Sequence, residues 1–337
     1  MTVAGRLAPA AGDAQLVHQR MELPRIAITM GDPAGIGPEL CCRIANDAEL
    51  ARRGRLTVFG CPRLLQRVAQ VTGLPAPPTI RSCSAASDIV PGQISAAAGA
   101  AALAAVEAGI DACLAGEADA LVTAPIHKQA IAAAGCPHPG HTELLAERCG
   151  CDDVAMLLSG AGLQVALVTI HQSLVSVAGA LCSSEIIRVG RLLVAGLRRL
   201  GRPAPRIAVL GFNPHAGDGG RFGDEEARIV APAIAALRAE GIDADGPLPP
   251  DTAFAPAIRR RYDGHLCLYH DQGLIPFKAL AFDAGVNITL GLPIVRTSPD
   301  HGTAFDIAWQ GRAAASSMRA AVTAAIAMAT DPSPGVA

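Results

Sequence analysis

The chain has 337 residues, of which half are hydrophobic and 17% charged, with a formal net charge of −2. That balance gives no general attraction to nucleic acid or to an anionic membrane, and the length suffices for two domains or one large α/β unit. Aromatic residues make up only 3%, so the core must be assembled from Ala, Val, Leu and Ile.

The first 22 residues lack the continuous apolar stretch of a signal peptide and contain two arginines, so they read as a disordered extension or a mis-assigned start. Strands are then predicted at 25–29 (RIAIT), 56–60 (LTVFG), 120–125 (ALVTAP), 164–171 (QVALVTIH), 206–212 (RIAVLGF) and 266–270 (LCLYH). Helices are predicted at Pro38–Asn46, Ala96–Ala115, Ser184–Leu200 and Glu225–Glu240. This alternation predicts a largely parallel sheet covered by helices. The Ala-rich stretch Ala96–Gly116 has the length of a membrane span, but Glu107, Asp111 and three glycines fit a buried amphipathic helix of a soluble protein better. Ten scattered cysteines without a CxxC fit reduced thiols in the cytoplasm, not a zinc ribbon or a thioredoxin motif. GPLPPDTAF (246–254) reads as a Pro-rich loop with Asp251 near its centre, and the tail DPSPGVA is expected to fray.

Three of the predicted strands deliver histidines: 164–171 ends at His171, 266–270 ends at His270, and His215 lies just beyond 206–212. Ligand crevices of open α/β sheets lie outside the carboxyl ends of strands, so three such residues can converge from distant positions. A lone histidine there is usually structural, whereas three neutral imidazoles suit a divalent metal with an open position. Beside His215, AGDGG supplies a flexible loop; Asp271 is either an orienter of His270 or a solvated turn residue. A second cluster, Lys278, Asn287 and Arg296, offers a point charge, an amide and a guanidinium fork suited to phosphate or carboxylate. Gly140, His141 and Thr142 precede a helical run near Glu143, where Thr142 either caps the helix or helps an anion at its N-terminus. No Walker loop, GxSxG elbow or GxGxxG fingerprint occurs.

MGDPAGIGPEL (30–40), TAPIHK (123–128), GHTE (140–143), NPHAGDGGRFGDEE (213–226), YHDQG (269–273) and NITLGLPIVRTSPDHGTAFDIA (287–308) together resemble the signatures of the 4-hydroxythreonine-4-phosphate dehydrogenase family, over about Arg25 to Met328. The resemblance implies an isocitrate/isopropylmalate dehydrogenase-like α/β fold: two α/β domains with a cleft between them. Residues 23–130 plus about 290–337 would form the cofactor side, and about 131–289 the metal-binding and dimerisation domain. It further implies a homodimer with a shared active site. His171, His215 and His270 would hold one divalent metal (Zn, Mg, Co or Mn), and His141, Thr142, Lys278, Asn287 and Arg296 would contact substrate. Gly31, Asp32, Gly35, His301, Gly302 and Thr303 would face NAD or NADP. The implied reaction is oxidation of 4-phosphohydroxy-L-threonine with decarboxylation to 3-amino-2-oxopropyl phosphate, in vitamin B6 synthesis. Lys278 and Arg296 would hold the anionic end of the substrate. Asp251, Asp271 and a hydroxide at the metal are the candidate proton acceptors. Where many members carry an arginine after the first metal histidine, this chain reads HQSLVSV, with Val175 near that point. Paralogues acting on 4-phospho-D-threonate or D-erythronate phosphate therefore stay open. So do a dihydrodiol dicarboxylate dehydrogenase and a non-catalytic metal-dependent binding protein. No nucleic-acid or membrane partner is expected.

Overall fold

A computed structural model describes residues 22–86 and 88–330. The expected extension, apart from Glu22, and the tail 331–337 lie outside the described residues. The strands are β1 (Arg25–Thr29), β2 (Arg55–Gly60), β3 (Ile80–Ser82), β4 (Ala120–Thr123), β5 (Ala155–Gly160), β6 (Leu163–Leu167), β7 (Arg206–Leu210), β8 (Asp243–Leu248), β9 (Gly264–Cys267), β10 (Val286–Leu290) and β11 (Val295–Pro299). They form one sheet in the order β3-β2-β1-β4-β11-β10-β5-β6-β9-β7-β8.

The sheet is parallel at both ends and antiparallel in the middle, where β10 pairs with β11 and β5, and β5 with β6. The largely parallel expectation is thus corrected at its centre. The antiparallel strands were not foreseen because NITLGLPIVRTSP is broken by Gly291 and Pro293, which close the β10–β11 hairpin. One half of the sheet comes from residues 25–123 and 295–299, the other from 155–290. Beyond a shared core, each half has its own apolar cluster: Phe59, Val106, Ile110, Leu121 and Leu145 in the first, Leu158, Val165, Leu210, Cys267 and Phe277 in the second. The fold is a two-domain α/β architecture built on a continuous sheet.

The Ala-rich helix Ala96–Leu114 is long and apolar enough to cross a membrane by length and composition, yet it packs on β1, β2 and the helix Lys128–Ala133. A Cβ on its Gly99 would stand 2.0 Å from the Ala130 carbonyl oxygen, so glycine permits the close helix–helix approach. All ten cysteines are free thiols. The expected loop 246–254 instead completes β8 and begins a short helix, Pro250–Ala253, which carries Asp251.

Candidate active site

A cleft of about 520 Å3 lies over the middle of the sheet. Its floor is the β10–β11 hairpin, where Asn287 pairs with Ser298 and the two-residue repeat brings Thr289 and Arg296 into the same cleft. Met156 of β5, in register with Thr289, extends the floor, while Lys128, Gly140–Glu143, Ile170 and His171 form walls. Four of the five residues expected to meet substrate, His141, Thr142, Asn287 and Arg296, therefore line one cleft with His171.

Arg296 is only 3% exposed and has no ion pair among the described residues. It donates to the hydroxyls of Thr289 at 3.0 Å and Thr123 at 2.7 Å, and its Nε–H has no partner among the described residues. Burial pushes its pKa down to about 10, which still leaves it cationic at neutral pH. A buried, uncompensated guanidinium is costly unless an anion joins it. His141 begins the helix His141–Cys149. Burial, with Arg296 nearby, holds its pKa well below the usual histidine range, so the ring is neutral. Its Nε2 is buried without a partner among the described residues. Thr142 lies in the first turn, where backbone N–H groups favour an anion.

Lys278 stands apart from this lining. Its Nζ donates to the Asp300 carbonyl at 3.1 Å and pairs with the Asp300 carboxylate. Sequence reasoning quoted Thr123 and Lys128 within TAPIHK but gave neither a role, and it passed over Thr289. Their signal was alternation along β10 for Thr289, the carboxyl end of β4 for Thr123 and the start of the following helix for Lys128.

At the carboxyl ends of β1, β4 and β11, which run parallel, three loops knit together. Ile36 N–H donates to the Thr303 carbonyl at 3.0 Å, and Trp309 Nε1 donates to the Pro33 carbonyl at 3.0 Å. Gly31 has φ +69°, and a Cβ there would lie 2.5 Å from the Pro125 carbonyl oxygen; a Cβ on Gly35 would lie 2.7 Å from that of Thr303. Asp32 is fully buried, accepts the Ala34 N–H at 2.8 Å, and has its pKa raised by burial against the opposing pull of Ala34 and His127. The His127 ring stacks on Phe305 at 4.9 Å. His301 and Gly302 form an exposed ledge, with nothing within 4 Å of a Cβ built on Gly302.

The strands β6, β9 and β7 are also mutually parallel, so the loops bearing His171, His270 and His215 leave one edge of the sheet. The strands stop sooner than expected. β6 ends at Leu167, and His270 opens the helix His270–Ala281. The rings of His171 and His270 lie 5.8 Å apart, beside a second cavity of about 380 Å3. His270 Nδ1 meets Asp271 Oδ1 at 2.7 Å, which leaves Nε2 free to meet a ligand. His215 is elsewhere, with Nδ1 3.7 Å from Asp251 Oδ2. Among the described residues no group of three His, Cys, Asp or Glu side chains is close enough to hold a metal. One chain thus supplies two neighbouring imidazoles but not the three expected together. The donors suit a divalent metal, though two imidazoles are fewer than the three protein ligands usual at a catalytic site.

Residues 39–325 match the family model described as pyridoxal phosphate biosynthetic protein PdxA. The chain belongs to the PdxA family. It is 47% identical to the 4-hydroxythreonine-4-phosphate dehydrogenase of Geobacter metallireducens, over 91% of this chain and 96% of that one. The crystal structure of the enzyme of that name from Klebsiella pneumoniae is 43% identical, covers 92% of this chain and 99% of its own, and superposes with a TM-score of 0.83. A terephthalate 1,2-cis-dihydrodiol dehydrogenase from Burkholderia xenovorans shares the fold at 29% identity and a TM-score of 0.67, over 94% of this chain and all of its own. PdxA membership makes the chain an NAD(P)-dependent oxidoreductase acting on a small molecule.

Proposed function

We propose that this PdxA-family chain oxidises 4-phosphohydroxy-L-threonine with NAD(P), with decarboxylation to 3-amino-2-oxopropyl phosphate, as a cytoplasmic enzyme of vitamin B6 synthesis. The observation that carries this reading is the cleft in which buried Arg296, neutral His141, Thr142 and Asn287 meet beside His171. Arg296 and the helix N-terminus at Thr142 bind the phosphate, and Asn287 orients the polar backbone of the substrate. Lys278, paired with Asp300 in the structure, would turn to the same anionic end when substrate binds. Asp271, bonded to His270, Asp251, beside His215, or a hydroxide at the metal would take the hydroxyl proton.

His171 and His270 of one subunit, with His215 of a second copy, would hold the divalent metal. When bound, it supplies Lewis acidity at the reacting hydroxyl. Gly31, Asp32, Gly35, His301, Gly302 and Thr303 would face NAD(P), the hydride acceptor, on the domain made of residues 23–130 and about 290–337. A homodimer is supported by exposed Leu174, Val175, Ile275 and Phe282, which are 68–93% exposed in the single chain.

The test is NADH or NADPH formation with a panel of acids after reconstitution with each metal. The panel holds 4-phosphohydroxy-L-threonine, 4-phospho-D-threonate, D-erythronate phosphate and a dihydrodiol dicarboxylate. Preference for any acid but the first overturns the substrate assignment. No turnover with any of them, together with retained metal binding, supports a binding protein instead.

A further inference from the structure

After β7 the chain enters a turn that L-amino acids avoid. Five successive residues, His215, Ala216, Gly217, Asp218 and Gly219, have φ between +44° and +82°. Three of them are not glycine, and in this region their Cβ atoms crowd the following carbonyl oxygen. A run of this kind persists only where its surroundings impose it.

The outer side of the turn imposes little. The His215 side chain is 66% exposed, and its nearest ring, Phe222, lies 6.4 Å away and is itself half exposed. The constraint comes from inside, from Glu226, which is 7% exposed. Its Oε1 accepts the backbone N–H groups of Phe212 at 2.8 Å and Asn213 at 2.7 Å, and its Oε2 accepts Asn213 Nδ2 at 2.9 Å. A Cβ on Gly217, in the middle of the left-handed run, would lie 2.8 Å from the same Oε2. Glu226 opens a π-helical turn, Glu226–Val230, a wide turn of the kind that often marks functional sites. The entry to the loop is fixed as well: Gln272, buried in the helix that starts with His270, donates to the Gly211 carbonyl at 2.7 Å.

We propose that Glu226 is a positioning residue: its buried carboxylate bonds the base of the 212–217 segment and backs its middle at Gly217, and so presets His215 as a metal ligand. The proposal rests on the metal role given to His215 above. Without the grip, the left-handed run relaxes toward ordinary backbone, and His215 meets the metal only after being reordered.

The test uses the full chain, Co2+ as the probe titrated by its visible absorption, and amide exchange along the metal-free protein. Glu226→Ala should weaken Co2+ binding about 10- to 100-fold, the range for lost partners of metal ligands, and speed exchange within 213–223 alone. Glu226→Gln keeps an acceptor for the two backbone amides but turns an N–H2 toward Asn213 Nδ2, so it should show the same changes to a smaller degree. Glu226→Asp withdraws the carboxylate by one methylene group from the Phe212 and Asn213 amides and gives the same reading should Glu226→Ala fail to fold. Unchanged exchange in 213–223, or faster exchange spread over the whole chain, overturns the proposal. His215→Ala is the reference. If it binds Co2+ like the wild type, the metal reading falls, and local exchange alone decides whether Glu226 holds the loop. If it loses the metal while Glu226→Ala and Glu226→Gln do not, the metal reading stands and Glu226 is only structural.

Discussion

The guanidinium of Arg296 donates to the hydroxyl of Thr123, a residue 173 positions earlier in the chain, at 2.7 Å. That bond joins β11 to its parallel neighbour β4 and, with the bond to Thr289, fixes the plane of the guanidinium in the cleft. Among the described residues no carboxylate takes part. The arginine is held in place by neutral groups that leave its charge unspent for a ligand.

Replacing Arg296 by lysine should therefore lower kcat/KM for the phosphorylated substrate about 10- to 150-fold, the equivalent of one charge-assisted hydrogen bond. Lysine keeps the charge but cannot fork between Thr123, Thr289 and an anion. Thr123→Val should move in the same direction by less. Steady-state kinetics with phosphorylated and unphosphorylated acids check this. An equal effect on both kinds of acid shows that Arg296 does not read phosphate.

Removing the metal with a chelator should abolish turnover, and restoring a divalent ion should recover it. His171→Ala should bind the ion weakly while its melting temperature stays within a few degrees of the wild type. The measurements are metal content after dialysis and thermal unfolding in parallel.

Gly35→Ala tests the contact between the 30–36 and 301–311 loops. The added methyl group would press on the Thr303 carbonyl oxygen, where only 2.7 Å is free. Moving that backbone should cost about 1–3 kcal/mol of stability. The same variant should raise the KM for NAD(P) several-fold while the affinity for substrate changes little. A normal cofactor KM would place the nicotinamide nucleotide away from this pair of loops.

Much of this was legible in the chain. RIAIT marked β1 to the residue, and alternation of apolar runs with helical patterns gave the parallel ends of the sheet. Other parts were hidden for physical reasons. DADGPL forms β8 although Gly and Pro usually punctuate strands, because as an edge strand β8 bonds only one neighbour, β7. The β-branched Val168, Thr169 and Ile170 prolonged the predicted strand toward His171, but β6 ends at Leu167. In the site, residue types pointed to Asn287 and Arg296, which share one cleft. Lys278 looked equally suitable, and only tertiary structure reveals its ion pair with Asp300. The separation of His215 from His171 and His270 could not be read from strand ends, which fix an edge of the sheet but not a distance along it.

His265 makes the acid stability of the fold testable. It lies in β9, only 1% exposed, stacked on Phe254 at 5.1 Å and edge-on to Tyr262 at 5.9 Å. Burial pushes its pKa down to about 4; nearby backbone groups of Gln164 and Ala253 oppose that shift, and Arg259 adds to it. The unfolded chain carries an ordinary histidine at this position, with a pKa near 6.5. Between those two values the unfolded state binds more protons, so stability falls as the pH drops from about 6.5 toward 4 and is unaffected by His265 above that window. The full effect amounts to about 3 kcal/mol. His265→Leu removes the titrating group from an apolar site of similar size. Its unfolding free energy should therefore fall less steeply between pH 6.5 and 4 than that of the wild type, whatever the offset at pH 8. Urea unfolding at a series of pH values measures both slopes, and parallel curves would show that His265 does not control the acid limb.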